Sequence, residues 1–422
     1  MIQVKDVVAE MGDPHSREVM MSFSIDPDAT LLAITEEWPE TVQVFVAQGF
    51  PQMGDENKRR AFGGAISLRM ATSLKNIDLD AFVELLEGAV ASDEVLRPES
   101  ANGEAPLRVM GLLPCPVRIP LEEAFEEFAE GFQRDTGRSI VTEFQAASVG
   151  ASWMDEHVNS IEDPEDFPDL FISAGFETFF DPKGIGKFRE AFADRTPYKT
   201  FNPSFDGVDL KDPEGRYAMI SVVPAVFLVN THEFGDEPLP RTWGDLLEPR
   251  FEQRVSLPVG DFDLFSGILL DIRRRYGDEG VRKLGRSLLE SMHPAQMVKV
   301  GGKPKAPMVT IMPYFFTRMA RPGSPMQAVW PSDGAIISPI FLLAKASGGE
   351  DLQRVVNFFC SKEVGEVLAI KGLFPSTHPE VDNGLAPDAP FSWLSWDWIE
   401  QTDIAAAIKE CEQLFDEGRD GR

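Results

Sequence analysis

"GAIISPIFLLA", residues 334–344, and "AMISVVPAVFLVN", residues 218–230, are the two longest apolar runs of the chain. Each falls short of the roughly 18 residues that a membrane-spanning helix needs, and each contains a proline. Both read as fully buried strands, because apolar side chains on every position require cover on both faces of a sheet. Working outward, strand and helix patterns alternate from residue 107. "LRVMGLLP" is a strand, and "LEEAFEEFAEGFQRDTG" is a helix with Leu121, Phe125, Phe128 and Phe132 on one face. "SIVTEFQAAS" is a strand, "GASWMDEHVNSI" a helix and "PDLFISAG" a strand again. "RVSLPVGDFD" leads into the helix "LFSGILLDIRRRYG", and "DLQRVVNFFC", "KEVGEVLAI" and "DIAAAIKECEQLF" close the chain as helices. This alternation predicts an α/β fold with parallel strands.

The first part of the chain has a different texture. "DATLLAITEEWPE" predicts a helix that starts at Thr30 and stops at Pro39. "ETVQVFVAQGF" puts Val42, Phe45 and Val46 on one face and stops at Gly49. "NIDLDAFVELLEGAV" starts at Asp78 and buries Leu79, Phe82, Leu85 and Leu86. "ASDEVLRPESANGEAP" is polar and broken by Pro98, Gly103 and Pro106, the composition of a linker. The expected organisation is a helical domain over 1–90, a linker over 91–106 and an α/β domain over 107–422.

The 422 residues carry a formal net charge of −29, with 69 acidic against 40 basic side chains. A surface this acidic repels phosphate backbones and anionic lipid, so nucleic acid and membrane insertion are excluded as partners. Three cysteines, Cys115, Cys360 and Cys411, are too few and too scattered for a disulfide framework or a zinc pattern. With no basic start and no apolar block in "MIQVKDVVAEMGDPHS", a cytoplasmic location is expected.

Three stretches carry a resemblance: "PDLFISAG", "TWGDLLEPRFEQRVSLPVGDF" and residues 329–380, "VWPSDGAIISPIFLLAKASGGEDLQRVVNFFCSKEVGEVLAIKGLFPSTHPE". In this order they resemble the periplasmic-type (type II) solute-binding proteins of the iron(III) ABC-importer group. Residues 26 to 90 resemble a small helical domain of unknown function, also found at the amino terminus of iron–sulfur repair proteins. Relatives place cysteines after the "GF" pair, whereas this chain reads "GFPQMGDENKRRAFGGA". The first resemblance implies two lobes, about 107–218 with 335–422 and about 219–334. The two apolar runs would be the strands that cross between them, and a ligand would close the lobes about that hinge.

The same resemblance implies a cleft built from loops after strands and from helix N-termini. Pro114, Cys115 and Arg118 follow the first strand; Cys115 is either a cleft thiol or a small buried hydrophobe. Ser148 and Trp153 flank a predicted helix start, where a serine is most often only an N-cap. Ser173 and Gly175 follow the third strand of the first lobe. Asp261, Asp263 and Ser266 open a helix of the second lobe, Tyr314 and Phe315 follow one of its strands, and Asp333 sits in the "PSDG" turn. Asp263 alternatively caps its helix, and Phe315 alternatively belongs to the core. Iron(III)-binding members use two adjacent tyrosines; the four here, Tyr198, Tyr217, Tyr276 and Tyr314, are never adjacent, so no metal ligand is assigned. Cys360 and Cys411 fall on apolar helix faces and read as structural.

The expected function is small-solute binding by a two-lobed clamp, a non-exported carrier or sensor rather than an enzyme, its ligand an unidentified small molecule or ion and its cofactor unknown. The helical domain is then a candidate protein-partner surface. The alternatives are a thiol-dependent enzyme with Cys115 as nucleophile and His157 as the nearest histidine in sequence, and an interaction protein whose cleft is vestigial.

Overall fold

The computed structural model describes residues 25–38, 41–47, 50–54, 58–75, 79, 82–83, 86, 103–114, 116–146, 161–235, 237–259, 262–291, 306–320 and 323–421. The chain divides into two compact units, Met1–Arg97 and Pro98–Arg422.

The first unit is helical. Helix α1 (Leu31–Glu37) opens on the Thr30 side chain, which accepts from the Ala33 amide. Helix α2 (Thr41–Ala47) follows, and helix α3 (Leu68–Lys75) is one that the apolar pattern did not reveal. Phe45, Phe50 and Phe82 pack as a ring trio, with centroids 5.5 to 6.1 Å apart, inside a small core that includes Leu31, Ile34, Leu68 and Leu86.

The second unit is built on a single curled sheet. Strands β1 (Leu107–Leu113), β2 (Ile140–Ala146) and β3 (Leu170–Ala174) are mutually parallel, as the strand–helix alternation requires. Helix α4 (Arg118–Thr136) connects β1 to β2. Strand β4 is Ala218–Asn230, followed by β5 (Val255–Leu257) and β6 (Leu288–Ser291). Then come β7 (Val309–Pro313), β8 (Met326–Val329), β9 (Ala335–Ala344) and the short β10 (Phe391–Ser392). The order across the sheet is β2-β1-β3-β9-β4-β7-β5-β6. The two apolar runs are therefore its central strands, buried at every position of β4 and of β9.

Proline is unusual in a central strand because it cannot donate to the ladder. Here each proline stands where a strand changes neighbours. Strand β9 pairs with β3 from Ile340 onward, and Pro339 is one residue short of that pairing. Strand β4 pairs with β7 from Ala225 onward, and Pro224 is one residue short of it. Along residues 218–225 β4 instead pairs antiparallel with β9. The first lobe hangs on β9, the second on β4, and the β4–β9 ladder joins them.

Two cores follow from this. On one face of the first-lobe sheet, α4 meets helix α6, which we number after α5 (Phe262–Ser287), at Glu350–Phe359; the Phe125 and Phe359 rings stack at 5.1 Å. The other core runs from Phe167 and Phe171 behind the sheet into the second lobe around Trp243, Leu269 and Ile311. Helix α5 breaks at Gly277, whose φ of 66° lies in the left-handed region.

One lobe assignment needs correcting. The terminal helix α7 (Ile404–Arg419), expected with the first lobe, packs along α5 of the second. The reason is glycine on both helices: Gly418 lies against the Arg282 carbonyl and Gly285 against the Phe415 carbonyl, so the two backbones touch where no Cβ fits. A G418A substitution is therefore expected to destabilise the chain by about 1–3 kcal/mol through forced separation of the helices. A denaturation midpoint equal to the parent's would contradict that packing.

Candidate functional site

The loop after β1 comes first, because the chain turns there from sheet to helix. The Pro114 carbonyl accepts from both the Val117 amide (3.0 Å) and the Arg118 amide (3.1 Å), which makes the turn tight. Cys115 lies outside the described residues. Arg118 is engaged locally: its guanidinium pairs with Glu122 one helical turn on, at 2.9 Å. Val117 is fully buried and meets the segment that follows α6. There Gly372 is so close that a Cβ would come within 2.6 Å of a Val117 methyl and 2.5 Å of the Phe374 ring. The next residue, Leu373, has a φ of 49°, a left-handed conformation that is uncommon for a leucine. A π-helical turn, Val367–Lys371, capped by Gly372, stands just before it, and such turns are frequent at functional sites.

From the other lobe, the 3-10 turn Tyr314–Met319 follows β7 and reaches the same segment. The Phe315 ring lies 6.4 Å from Phe374, tilted 34°. The Arg318 guanidinium donates to the Ile370 carbonyl at 2.8 Å. Phe315 packs against the first-lobe core, while its neighbour Tyr314 turns away and stands edge-on to Trp330 at 5.3 Å in the other core. The phenol therefore belongs to the frame, and the phenyl ring faces the junction of the lobes. Among the described residues no three His, Cys, Asp or Glu side chains converge on a metal-sized space.

Beneath these rings lies the β4–β9 ladder. Val223 belongs to the same cluster as Phe374, and Ser338 is its cross-strand partner. Directly paired residues of neighbouring strands point to the same face. The Ser338 side chain thus shares the face of Val223. It is 1% exposed, and among the described residues its hydroxyl has no hydrogen-bond partner. The neighbouring Ser221 hydroxyl, by contrast, bonds the Phe374 and Pro375 carbonyls at 3.0 and 2.9 Å. Sequence reasoning missed Ser338, Phe374 and Arg318's partner. The signal for Ser338 was a lone hydroxyl inside an apolar run.

Other expected site residues lie elsewhere. Ser173 is buried and donates to the Ala174 carbonyl, opposite Leu112 and Phe341 of the other core. The Gly175 amide donates to the Pro339 carbonyl at 3.2 Å, which fastens the β3 loop to the crossing strand. Ser266 is buried in α5. Ser148, Trp153 and Asp261, with the side chain of Asp263, fall outside the described residues.

Asp333, expected in the cleft, is held by partners of the frame. Its carboxylate accepts from the Trp243 amide at 3.1 Å and from Arg275 at 3.1 Å. The Trp243 indole in turn donates to the Gly334 carbonyl at 2.9 Å, and Gly334, with φ 104°, leaves no room for a Cβ against Phe391. Burial raises the Asp333 carboxyl above its usual range, and Arg275 offsets only part of that.

The comparisons with known proteins agree with this architecture. The family model described as bacterial extracellular solute-binding protein matches residues 165–402, more than half of the chain. The chain belongs to that family. A domain of unknown function, DUF1858, matches residues 25–83 of this solute-binding protein. Among solved structures, the apo ferric ion-binding protein A of Pasteurella haemolytica is similar at 14% identity and a TM-score of 0.52, over 75% of this chain and 98% of that one. Iron-bound HitA of Pseudomonas aeruginosa is similar at 14% identity and a TM-score of 0.51, over 74% and 99%. A structure described as a two-component system protein that mediates signal transduction matches at 16% identity and 0.51, over 73% and 100%. No curated protein matches the chain. The fold is thus the two-lobed, type II one that the sequence implied.

Two predictions follow from the frame. D333A is expected to cost about 1–3 kcal/mol, because it leaves the Trp243 amide and Arg275 short of an acceptor; an unchanged denaturation midpoint would show the turn to be indifferent to Asp333. Burial also pushes the Cys360 thiol up and the Cys411 thiol to about 11. Both should resist alkylation at pH 8 in native protein and react on unfolding. A raised thiol pKa stabilises the fold below the unfolded value and loses that contribution as pH climbs toward the folded one. Stability should therefore fall between about pH 9 and 11, and less steeply in C411A when midpoints are compared across that range.

Proposed function

We propose that this solute-binding protein is a non-catalytic clamp that closes on a small solute, and that it works as a non-exported carrier or sensor. One observation carries the clamp reading. The residues that meet at the end of the crossing strands come from both lobes: Val117 and Gly372–Phe374 from the first, Phe315 and Arg318 from the second. A solute held there touches both lobes at once, so binding free energy favours closure about the β4–β9 ladder. The carrier or sensor role is supported by the helical unit, which has its own aromatic core and is a candidate surface for a protein partner. The related folds include both iron-binding proteins and a signal-transduction protein, so neither use is foreign to the architecture.

Cys360 and Cys411, read as structural, are buried with raised pKa values and offer the thiol-dependent alternative no second nucleophile. It rests on Cys115 alone.

Closure makes a measurable claim without any ligand. The F315A/R318A double variant removes the contacts across the cleft, and its radius of gyration in solution scattering should exceed that of the parent. An identical scattering curve would count against the clamp. A ligand present at 100 times its Kd should add about 2.7 kcal/mol of stability, a rise of several degrees in Tm. Fractionation of cells that express the full chain tests location: recovery in the periplasm would overturn the non-exported reading.

A further inference from the structure

We infer that the cleft is built for a flat organic anion, an aromatic or heteroaromatic ring that bears a carboxylate or phosphate, and not for a bare metal ion. This rests on the clamp reading above and adds the ligand's chemical class. Three observations carry it.

The first is the pair of rings. Phe315 and Phe374 come from opposite lobes and lie tilted to each other in one cluster, at 6.4 Å between centroids and 34° between planes, with Phe374 buried. A flat group stacked on both would lie about 3.5 Å from each, a separation of about 7 Å in all. A small opening of the hinge, with the rings brought nearer to parallel, admits a ring between them. A hydrated ion gains little from two phenyl faces.

The second is charge. Arg318 stands on the same turn as Phe315, one helical turn along, and is exposed. Its guanidinium donates across the cleft to a neutral acceptor, the Ile370 carbonyl. A guanidinium has five N–H donors in a fork that suits carboxylate or phosphate, and an anion is a stronger acceptor than a carbonyl. An anionic ligand can therefore take over that contact and keep the two lobes joined through itself.

The third is the floor. The Ser338 hydroxyl is buried, lacks a hydrogen-bond partner among the described residues, and shares the face of Val223, a member of the cluster that holds both rings. Buried polar groups are normally satisfied, and the exceptions call for an explanation. A ring nitrogen, hydroxyl or carbonyl carried at the inner end of the ligand would satisfy it. Ring, anion and one inner polar atom together define the class.

The test uses the full chain and a fixed set of probes in ligand-dependent melting and titration calorimetry. Benzoate, nicotinate and phenyl phosphate carry ring and charge. Nicotinamide carries the ring alone, acetate and inorganic phosphate the charge alone, and ferric citrate supplies the metal. The expected result is binding by members of the first set, with the neutral and ringless probes weaker by at least about tenfold. R318Q should remove that preference for charge and leave nicotinamide unaffected, whereas F315A should weaken every ring probe. S338A, which removes an unpaired hydroxyl, should fold as well as the parent and weaken nicotinate more than benzoate. Preferential binding of ferric ion, acetate or phosphate would overturn the ligand class. So would silence from all ring anions, or an R318Q variant that binds benzoate as the parent does. The scattering comparison of F315A/R318A with the parent separates the two failures: an opened double variant beside a parent that binds no ring anion keeps the clamp and rejects this ligand class, and an unopened double variant rejects both.

Discussion

The antiparallel ladder between β4 and β9 is the constraint on which the rest depends. Residues 218–225 of one strand pair with 336–342 of the other, with every position buried. Each strand then continues into a different lobe. A buried ladder cannot release its amides and carbonyls without a heavy desolvation cost, so the joint is stiff in its middle. Freedom is left at the ends, where Pro224 and Pro339 mark the change of neighbour. Motion of one lobe against the other is thereby confined to the places where the strands part company. Phe374 and Val223 of that ladder share one buried cluster, against which Phe315 packs.

Around the ladder the protein uses close backbone contact to hold its shape. Gly334 lets the "PSDG" turn press on β10, and Asp333 ties that turn to Trp243 and Arg275. Asp271, buried on α5, binds Arg274 and Arg275 at 2.6 Å each and draws in Ser392. Gly285 and Gly418 bring α5 and α7 together. These are devices of position: a methyl or a missing carboxylate at any of them displaces an element, not one contact. The net charge of −29 has no part in them.

The legibility of the chain was uneven for a physical reason. Alternating strand and helix patterns and two continuous apolar runs are local signals, and they described the sheet well. Faces such as Leu352, Val355, Val356, Phe359 and Cys360 came out as read, because helical period alone decides which side is buried. The partners of Asp333 were not legible, because an aspartate in a turn looks the same in sequence whether or not an arginine 58 residues away in the chain reaches it. Tyr314 and Phe315 are neighbours in sequence, yet one joins each core, and nothing in "PYFF" distinguishes them. The terminal helix was placed with the wrong lobe because its partner depends on two glycines, one on each helix, 133 residues apart for Gly285 and Gly418 and invisible as a pair.

By itself the sequence determined the fold class, the helical unit at its start, the identity of the crossing strands and the fact that no two of its tyrosines are adjacent. Those properties follow from periodicity, composition and the residues simply present. Only the tertiary structure decided which loops face one another, that Phe315 meets Phe374, that Arg318 reaches Ile370, and that the buried Ser338 hydroxyl has no partner among the described residues. Such pairings depend on where two lobes meet in space, and no local pattern encodes a distance between residues that only the hinge brings together.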